Sequence, residues 1–262
     1  MDWKGNSMGG AKRIPAIVSI VLLLCAVQLL TACGRAETGQ TVATEGYSVT
    51  DITGRTVHFD TPPQRIVTLS STLDQIVLSV APPERMAAVN ASMKDPINSN
   101  MVEVAEQVEK TIQRPSVEYI VSLHPDIVLI ADWQYLELAD PLRESGLNVV
   151  VGRGPHNLAE VRDLVRLTTD AIGESRRGDI LLRKMDEKLS EITEKVQSIP
   201  ESERKSVVFL SLMSTYGGIG SSFDDACHHA GVINGVSAYG LRNGQEVTKE
   251  VILAINPDIL FL

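Results

Sequence analysis

The sequence predicts an α/β protein with two Rossmann-like lobes, each built on an open parallel sheet, that are joined by one long helix. Two observations support this fold class. Residues 116–130 and 248–262 share one pattern: a hydroxyl residue, a glutamate two positions later, apolar residues at helical spacing, and a Pro-Asp step followed by an apolar run. Between these copies, residues 175–198 form an amphipathic pattern that is typical of a single long helix.

Each copy of the repeat predicts a short helix that leads into a central strand. Ser116 and Thr248 are predicted N-caps, because their hydroxyls can accept a hydrogen bond from the first helical turn. The residue before Pro125 or Pro257 is disfavoured in the helical conformation, so each helix is expected to end there. The apolar run that follows is typical of a strand buried on both faces of a parallel sheet. Two copies in one register imply two similar lobes.

The segments around the first copy predict the rest of an N-terminal lobe. Residues 47–59 alternate in hydrophobicity around Gly54, which predicts a hairpin that ends at Pro62 and Pro63. Residues 65–70 and 86–91 are predicted strands, and the helix between them, which ends near Val80, completes a βαβ unit. After the first repeat we expect a helix at 136–144 and a strand at 148–151.

A pair of consecutive helices is predicted next. The first runs from Asn157 to about Ile172, where Gly173 is expected to end it. The second, at 175–198, would be roughly 35 Å long. Since it lies between the two copies of the repeat, we expect it to connect the lobes, with an ordinary surface helix as the alternative. Its apolar stripe comprises Leu181, Met185, Leu189, Ile192 and Val196.

The second lobe is expected to begin as the first does. Residues 206–213 predict a buried strand, and a glycine-rich turn at 215–222 precedes a helix. The second repeat then reaches Leu262 inside its predicted central strand. We therefore expect an incomplete, truncated C-terminal lobe.

Composition excludes some classes of function. The chain has 262 residues, of which 44% are hydrophobic, which is enough for a core in each lobe. Its formal charge of −9 and the absence of basic runs argue against a nucleic-acid surface. The three cysteines predict no disulfide, because Cys25 and Cys33 lie in the N-terminal apolar segment or directly after it, which leaves Cys227 without a partner.

The N-terminus resembles a bacterial lipoprotein signal peptide. Lys4, Lys12 and Arg13 precede an apolar run at 14–30, and Leu-Thr-Ala-Cys33 has the form of a lipobox. The resemblance implies cleavage before Cys33 and acylation of its thiol; an uncleaved transmembrane anchor is the alternative, and either places the domain outside the cytoplasm. The predicted divisions are a signal peptide at 1–32, an acylated cysteine and flexible tether at 33–46, an N-terminal lobe at 47–173, a connecting helix at 174–199 and a C-terminal lobe at 200–262.

Taken in order, the motifs resemble the substrate-binding lipoproteins of ABC importers for iron-siderophores, haem and cobalamin. After the lipobox come Val-Thr-Asp-Ile-Thr-Gly-Arg-Thr-Val at 49–57, Pro-Gln-Arg-Ile-Val at 63–67, Val-Glu-Tyr-Ile at 117–120, His-Pro-Asp-Ile at 124–127, Glu250 and Asn-Pro-Asp at 256–258. The resemblance implies a monomeric receptor that binds a metal chelate between its lobes. It also implies an ABC permease dimer with a cytoplasmic ATPase as partner.

The resemblance assigns a docking role to two glutamates. In the family, one glutamate on each lobe binds arginines of the permease dimer, and Glu118 and Glu250 match those positions. Two similar lobes can present the same charge twice to a partner with two-fold symmetry. The alternative for either residue alone is an acid that interacts favourably with the helix dipole.

Candidate ligand contacts follow the carboxyl ends of the predicted strands, where ligands of open α/β sheets bind. Aromatic rings suit a flat macrocycle, and arginine suits the carboxylates or phenolates of an iron chelate. Trp133 is the strongest candidate, although it could equally cover the sheet edge. The predicted ligand-binding residues are Ser70, Ser71, Ser92, Met93, Trp133, Tyr135, Ser214, Thr215, Tyr216, Tyr239 and Arg242.

Other constellations give weaker signals. His228 and His229 are adjacent and would point to different helix faces, which favours solvated residues over a metal site. The glycines at 217–220 lack the spacing of a dinucleotide fingerprint. Ser70, His58 and Asp74 could suggest a hydrolytic triad, but no Gly-x-Ser-x-Gly elbow surrounds the serine. We therefore expect no catalytic residue, no cofactor and no bare-metal site, since iron would arrive inside the ligand.

The expected function is the lipid-anchored substrate-binding component of an ABC importer for an iron-siderophore, haem or cobalamin-like chelate. An extracytoplasmic sensor or interaction domain of the same fold is the alternative, and a neighbouring permease and ATPase gene would decide between them. An exported hydrolase is a third hypothesis, disfavoured by the missing nucleophile motif.

Overall fold

The computed structural model describes residues 46–210 and 213–261. The predicted signal peptide, Cys33 and nearly all of the predicted tether lie outside the described residues, and so does the transmembrane alternative for that segment. Within the described ranges, no helix combines the length and the hydrophobicity that a membrane span requires.

An antiparallel hairpin precedes the main sheet, as predicted. Strands β1 (Tyr47–Thr50) and β2 (Thr56–Phe59) pair, and Gly54 adopts a φ of 79° in the turn between them. The buried Asp51 carboxylate accepts hydrogen bonds from the backbone of Thr53 and Arg55. It also contacts Arg143 at 2.7 Å, so the hairpin is fixed to the edge of the next sheet.

The first sheet has five parallel strands in the order β5-β4-β3-β6-β7. The strand order reverses between β3 and β6, which is the arrangement of a doubly wound Rossmann sheet; in such sheets, ligands bind at the carboxyl ends of the strands near this point. The strands are β3 (Ile66–Thr68), β4 (Met86–Asn90), β5 (Thr111–Ile112), β6 (Ile127–Ala131) and β7 (Val149–Gly152).

Helices cover both faces of this sheet. Successive strand residues point to opposite faces, so Ile66, Ile127 and Leu129 join one buried cluster while Val67 and Val128 join the other. The helices of this part are α1 (Ser71–Val80), α2 (Val102–Ala105), α3 (Val117–Ser122), α4 (Ala139–Glu144) and α5 (Leu158–Ala171), with short 3₁₀ helices at Pro83–Arg85, Ala91–Lys94 and Leu136–Leu138.

The long helix α6 (Ser175–Val196) follows α5 after the predicted break at Gly173, whose φ is 73°. Its 22 residues extend over roughly 33 Å. It packs against α1 and α5 on one side and against α7 (Ser222–Ala230) of the second sheet on the other. The connecting position expected from the sequence is therefore observed.

The second sheet repeats the centre of the first. Its parallel strands β8 (Ser206–Phe209), β9 (Ile233–Asn234) and β10 (Ile259–Phe261) have the order β10-β8-β9, which corresponds to β6-β3-β4. Helices α8 (Gly235–Ala238) and α9 (Lys249–Ile255) complete the described part. Strand β8 ends at Phe209, and residues 211–212 of the strand predicted at 206–213 lie outside the described ranges; β10 is an exposed edge strand.

The two copies of the repeat have the same local geometry. Ser116 and Thr248 cap α3 and α9 by accepting from Tyr119 and Val251, as predicted. The residue before each proline adopts a left-handed φ, 49° at His124 and 48° at Asn256, which ends each helix. Each repeat aspartate then anchors the start of the neighbouring strand, with Asp126 accepting from the Arg65 backbone and Asp258 from that of Ser206 at 2.8 Å.

Candidate functional site

The carboxyl edges of the two sheets meet beside α6. Helix α5 follows β7 and α7 follows β8, so each helix begins at the carboxyl edge of its sheet. Asp225 of α7 accepts a hydrogen bond from the backbone N–H of Leu158, the first residue of α5, at 2.9 Å. The loops that follow the strands of both sheets therefore lie on the side of the molecule where ligands of such folds bind.

The first sheet presents some predicted ligand residues at this edge and buries others. Ser71 and Ser92 are half-buried, while Ser70 is only 1% exposed. Met93 is fully buried in the core, so its side chain has no surface to offer a ligand, and the prediction that it contacts the ligand is wrong. The sequence pattern could not separate Met93 from its neighbours, because the 3₁₀ helix that turns it inward was not predicted.

Trp133 lies just beyond β6 with 47% of its surface exposed. Its ring packs against Gly154, where an added Cβ would come within 2.6 Å of the tryptophan Cε3 atom. The Gly154 N–H also donates to the Asp132 carboxylate at 2.7 Å. The loops after β6 and β7 therefore hold one part of the indole and leave the other to solvent. Tyr135 nearby adopts a left-handed φ of 62° and is half-buried against the core.

The second sheet brings several predicted residues together. The carbonyls of Ser214 and Thr215 accept hydrogen bonds from Val247 and Gly244, which joins the loop after β8 to the loop before α9. Tyr216 contacts Ser222 through its hydroxyl at 2.7 Å and packs edge-on against Phe209. Tyr239 and Arg242 are exposed on the second of these loops, with Tyr239 at 51%.

Sequence reasoning missed a set of exposed apolar side chains on the same loops. Ile97 is 91% exposed at a turn whose backbone is held by the Asp95 carboxylate. The sequence around Ile97 is polar, and this composition is typical of a solvated loop and gives no signal for an exposed apolar residue. The exposed apolar residues of these loops, including those predicted, are Ile97, Trp133, Leu136, Met213, Ile219 and Tyr239.

Glu118 and Glu250 occupy equivalent positions at the start of α3 and α9. Both side chains are fully exposed. The pKa of each carboxyl is lowered, first by a hydrogen bond from its own backbone N–H and then by the capping hydroxyl, Ser116 or Thr248. Since both helices run antiparallel to the strands, the two negative charges lie on the carboxyl-edge side of each sheet.

Asp74 is a buried acid at the same edge. Burial raises the pKa of its carboxyl to about 7, and hydrogen bonds from Thr68 and Asn90 oppose that rise. His58 instead contacts Ser48 and Asp60. Asp74, His58 and Ser70 therefore do not form a hydrolytic triad.

A groove of about 260 Å³ lies between α5, α6 and α7. None of the predicted ligand residues lines it, but Asp225 and His229 do. The His229 Nε2 atom is 3.9 Å from the Asp225 carboxylate. Among the residues that the structure describes, no group of three or more histidine, cysteine, aspartate or glutamate side chains is placed to hold a metal ion.

The sequence profile of the periplasmic binding proteins matches residues 66–262, which include both sheets. The chain belongs to this family. Among curated proteins it is similar to an ABC transporter substrate-binding lipoprotein of Bacillus subtilis, YvrC, with 25% identity over 91% of this chain and 77% of the relative.

Solved structures of the family share the fold. The haem-binding protein RhuT from Roseiflexus is 24% identical, with a TM-score of 0.65 over 75% of each chain. The molybdate-binding protein MolA from Haemophilus influenzae is 17% identical, with a TM-score of 0.68 over 82% of this chain and 73% of that one. Because these two proteins bind different ligands, the shared fold does not identify the ligand of this chain.

Proposed function

We propose that this chain is the extracytoplasmic substrate-binding component of an ABC importer, which captures a metal chelate and delivers it to a membrane permease. The observation that carries the proposal is the matched pair Glu118 and Glu250. Both are exposed, both are held ionised by the same local hydrogen bonds, and each lies at the same position of its sheet. A duplicated charge of this kind suits a permease dimer with two-fold symmetry.

The proposed ligand is an iron-siderophore, haem or a cobalamin-like chelate. The exposed apolar residues on the carboxyl-edge loops support a ligand with an extended apolar surface, since such residues gain free energy when a ligand covers them. Arg242 supplies a cation on the same loops for a carboxylate or phenolate of the ligand. The haem-binding relative RhuT is consistent with this class, and the B. subtilis relative is consistent with the ABC transporter role.

Fluorescence of Trp133 offers a direct test. The chain has two tryptophans, Trp3 and Trp133, so a form that begins at Cys33 reports on Trp133 alone. We expect a ferric siderophore, haemin or cobalamin to quench its emission at micromolar concentration or below. The Trp133→Phe variant is the control for optical artefacts, because its ligand binding is measured by calorimetry and does not depend on tryptophan emission. No response in either measurement to any of the three probes contradicts the chelate assignment.

Anchoring at Cys33 is part of the proposal. We expect the full chain to incorporate a radiolabelled fatty acid, and Cys33→Ser to abolish the label and release the protein from the membrane fraction. Cys227→Ser is the matched control, because Cys227 is buried and should leave the label unchanged. Equal labelling of the Cys33→Ser variant contradicts lipid attachment at this residue.

A further inference from the structure

An aspartate–asparagine pair links two elements at the carboxyl edge of the first sheet. Asp74 lies in the first turn of α1, and Asn90 is the last residue of β4. The Asp74 Oδ2 atom accepts from the Asn90 backbone N–H at 2.9 Å and from its side-chain amide at 2.5 Å. The pair therefore joins the helix that follows the first strand to the loop that follows the second.

The second sheet contains a corresponding pair. Asp224 lies in the first turn of α7, and Asn234 is the last residue of β9. The Asn234 amide donates to the Asp224 Oδ1 atom at 2.9 Å, and the Ser237 hydroxyl donates to the same oxygen at 2.5 Å. The Asn234 amide also reaches the Gly217 carbonyl in the loop after β8. In each sheet, an aspartate and an asparagine thus join the helix that follows the first strand to the loop that follows the second.

Only the first pair is connected to a hydroxyl with a choice of acceptors. The Thr68 Oγ1 atom is 2.5 Å from the Asp74 Oδ1 atom and 3.3 Å from the Ser70 carbonyl. A threonine hydroxyl has one hydrogen to donate. When Asp74 is ionised, this hydrogen is held by the carboxylate; when Asp74 is protonated, its own O–H can donate to Thr68, whose hydrogen then turns to Ser70.

The surroundings leave Asp74 without a charged partner. Strands β3, β4 and β6, which pack against α1, contain no ionisable residue, and Lys94 of the adjacent 3₁₀ helix donates to the Val108 carbonyl instead. Burial is what raises the pKa of Asp74, and the hydrogen bonds from Thr68 and Asn90 oppose that rise. Helices α5 and α6 also pack on α1. The charged groups of α5 are Glu160, Arg162, Asp163, Arg166 and Asp170. Those of α6 are Arg176, Arg177, Asp179, Arg183, Lys184, Asp186, Glu187, Lys188, Glu191, Glu194 and Lys195.

We infer that Asp74 and Asp224 are positioning residues for ligand capture, each fixing the loops of its own sheet. The proton on Asp74 sets the direction of the Thr68 hydroxyl and thereby the conformation of the loop at Ser70. This inference rests on the proposed binding function. It assigns a role to two acids that are not expected to touch the ligand. It also makes Asp74 in the first sheet the group through which pH acts on this linkage.

Amide hydrogen exchange tests the inference without a ligand. In the wild-type chain, we expect the protection factor of the Asn90 amide to be about fivefold higher at pH 8.5 than at pH 5.5, because hydrogen bonds to a charged acceptor are the stronger ones. The amide of residue 74, which donates to the Ser70 carbonyl at 3.0 Å, should change over the same range. In Asp74→Asn, which resembles the protonated acid, both amides should lose this dependence.

Two further variants separate the steps. Thr68→Val removes the hydroxyl, so the Asn90 amide should keep its pH dependence while the residue 74 amide loses it. Asp126→Asn is the matched control, because Asp126 also accepts from backbone amides but lies at the amino edge of the sheet. It should leave both readouts as in the wild type. If neither variant folds, the carbon resonance of the Asp74 carboxyl in the wild type decides: titration below pH 5 overturns the inference.

Ligand binding provides the functional readout. For whichever probe quenches Trp133, we expect the wild-type Kd to change about fivefold between pH 5.5 and 8.5 and the Asp74→Asn Kd to stay constant. Identical pH profiles in the two proteins overturn the inference while leaving the proposed function intact. If no probe binds, the proposed ligand class fails, and the exchange experiment still accepts or rejects the positioning role.

Discussion

Asp225 of α7 accepts a hydrogen bond from the backbone N–H of Leu158 at the start of α5, and this contact joins the carboxyl edges of the two sheets. Helix α6 supplies the covalent connection between the same two parts of the chain. The two sheets are thus linked twice in one region, by a helix and by a charge-assisted hydrogen bond. Small hinge motions about this region are the kind of movement that such a fold permits.

Replacement of Asp225 should loosen this region. We expect Asp225→Ala to reduce the protection of the Leu158 amide at least tenfold and the free energy of unfolding by about 1–2 kcal/mol, because the first helical turn loses a charged acceptor. Hydrogen exchange and urea denaturation measure the two effects. Asp225→Asn keeps an acceptor oxygen and should recover part of the loss. Unchanged protection of Leu158 in the alanine variant contradicts the role of this contact.

The ion pair between Arg85 and Glu174 should be more important for stability. The two groups are 2.5 Å apart, and Arg85 also donates to the carbonyls of Pro63 and Ile172, so it fixes the start of α6 to the first sheet. Because the arginine side chain is only 9% exposed, Glu174→Gln leaves a buried cation without its counter-ion. We expect a loss of about 3 kcal/mol in urea denaturation.

The control for this prediction is Glu191→Gln on the same helix. Glu191 pairs with Lys188 on the exposed surface of the helix, and such pairs contribute little to stability. The Glu191→Gln variant should therefore unfold at the same urea concentration as the wild type. Equal effects of the two variants would show that burial of the Arg85 pair does not matter.

Asp74 should make the stability of the protein depend on pH in an unusual direction. Its pKa is raised from the ordinary 3.8 to about 7, so the native state holds this proton more tightly than the unfolded chain. Its contribution to stability is therefore fully present below about pH 4 and is lost as the pH rises through 7. As the pH rises from 5 to 8, the free energy of unfolding of Asp74→Asn should increase relative to that of the wild type. A constant difference over that range contradicts the assignment.

Much of the fold could be predicted because the repeat encodes it locally. The caps at Ser116 and Thr248, the helix ends before Pro125 and Pro257, and the break at Gly173 depend on backbone chemistry that single residues determine. The helix α2 and the strand β5 were not predicted. They have four and two residues, and tertiary packing stabilises elements too short to show a hydrophobic period.

The site was predicted less well than the fold. The carboxyl ends of strands can be located from the sequence, but the direction of a side chain in the following loop depends on turns that the pattern does not specify. Met93 and Ile97 show both errors, since the first was expected at the surface and is fully buried, and the second was overlooked and is 91% exposed. The Asp74–Asn90 pair spans 16 positions and requires the sheet order, which only the structure provides.

Reversal of both docking charges tests the proposed partner. We expect the double variant Glu118→Arg and Glu250→Arg to abolish uptake by cells that depend on this receptor, because like charges would oppose the permease arginines. Ligand affinity measured through Trp133 should remain within about twofold, since both glutamates are exposed and outside the loops that carry the predicted ligand contacts. Each single variant should retain partial uptake, because one of the two equivalent contacts persists.

The matched control reverses two other exposed glutamates, Glu84 and Glu201, which precede β4 and β8 at the amino edges of the two sheets. Its net charge equals that of the docking variant, so any effect of overall charge on uptake is the same in both. The control should transport at the wild-type rate, and its purified protein should bind permease reconstituted in nanodiscs, whereas the docking variant should not. Equal transport by the two double variants would remove the docking role of Glu118 and Glu250, because position and not charge alone is what the proposal requires.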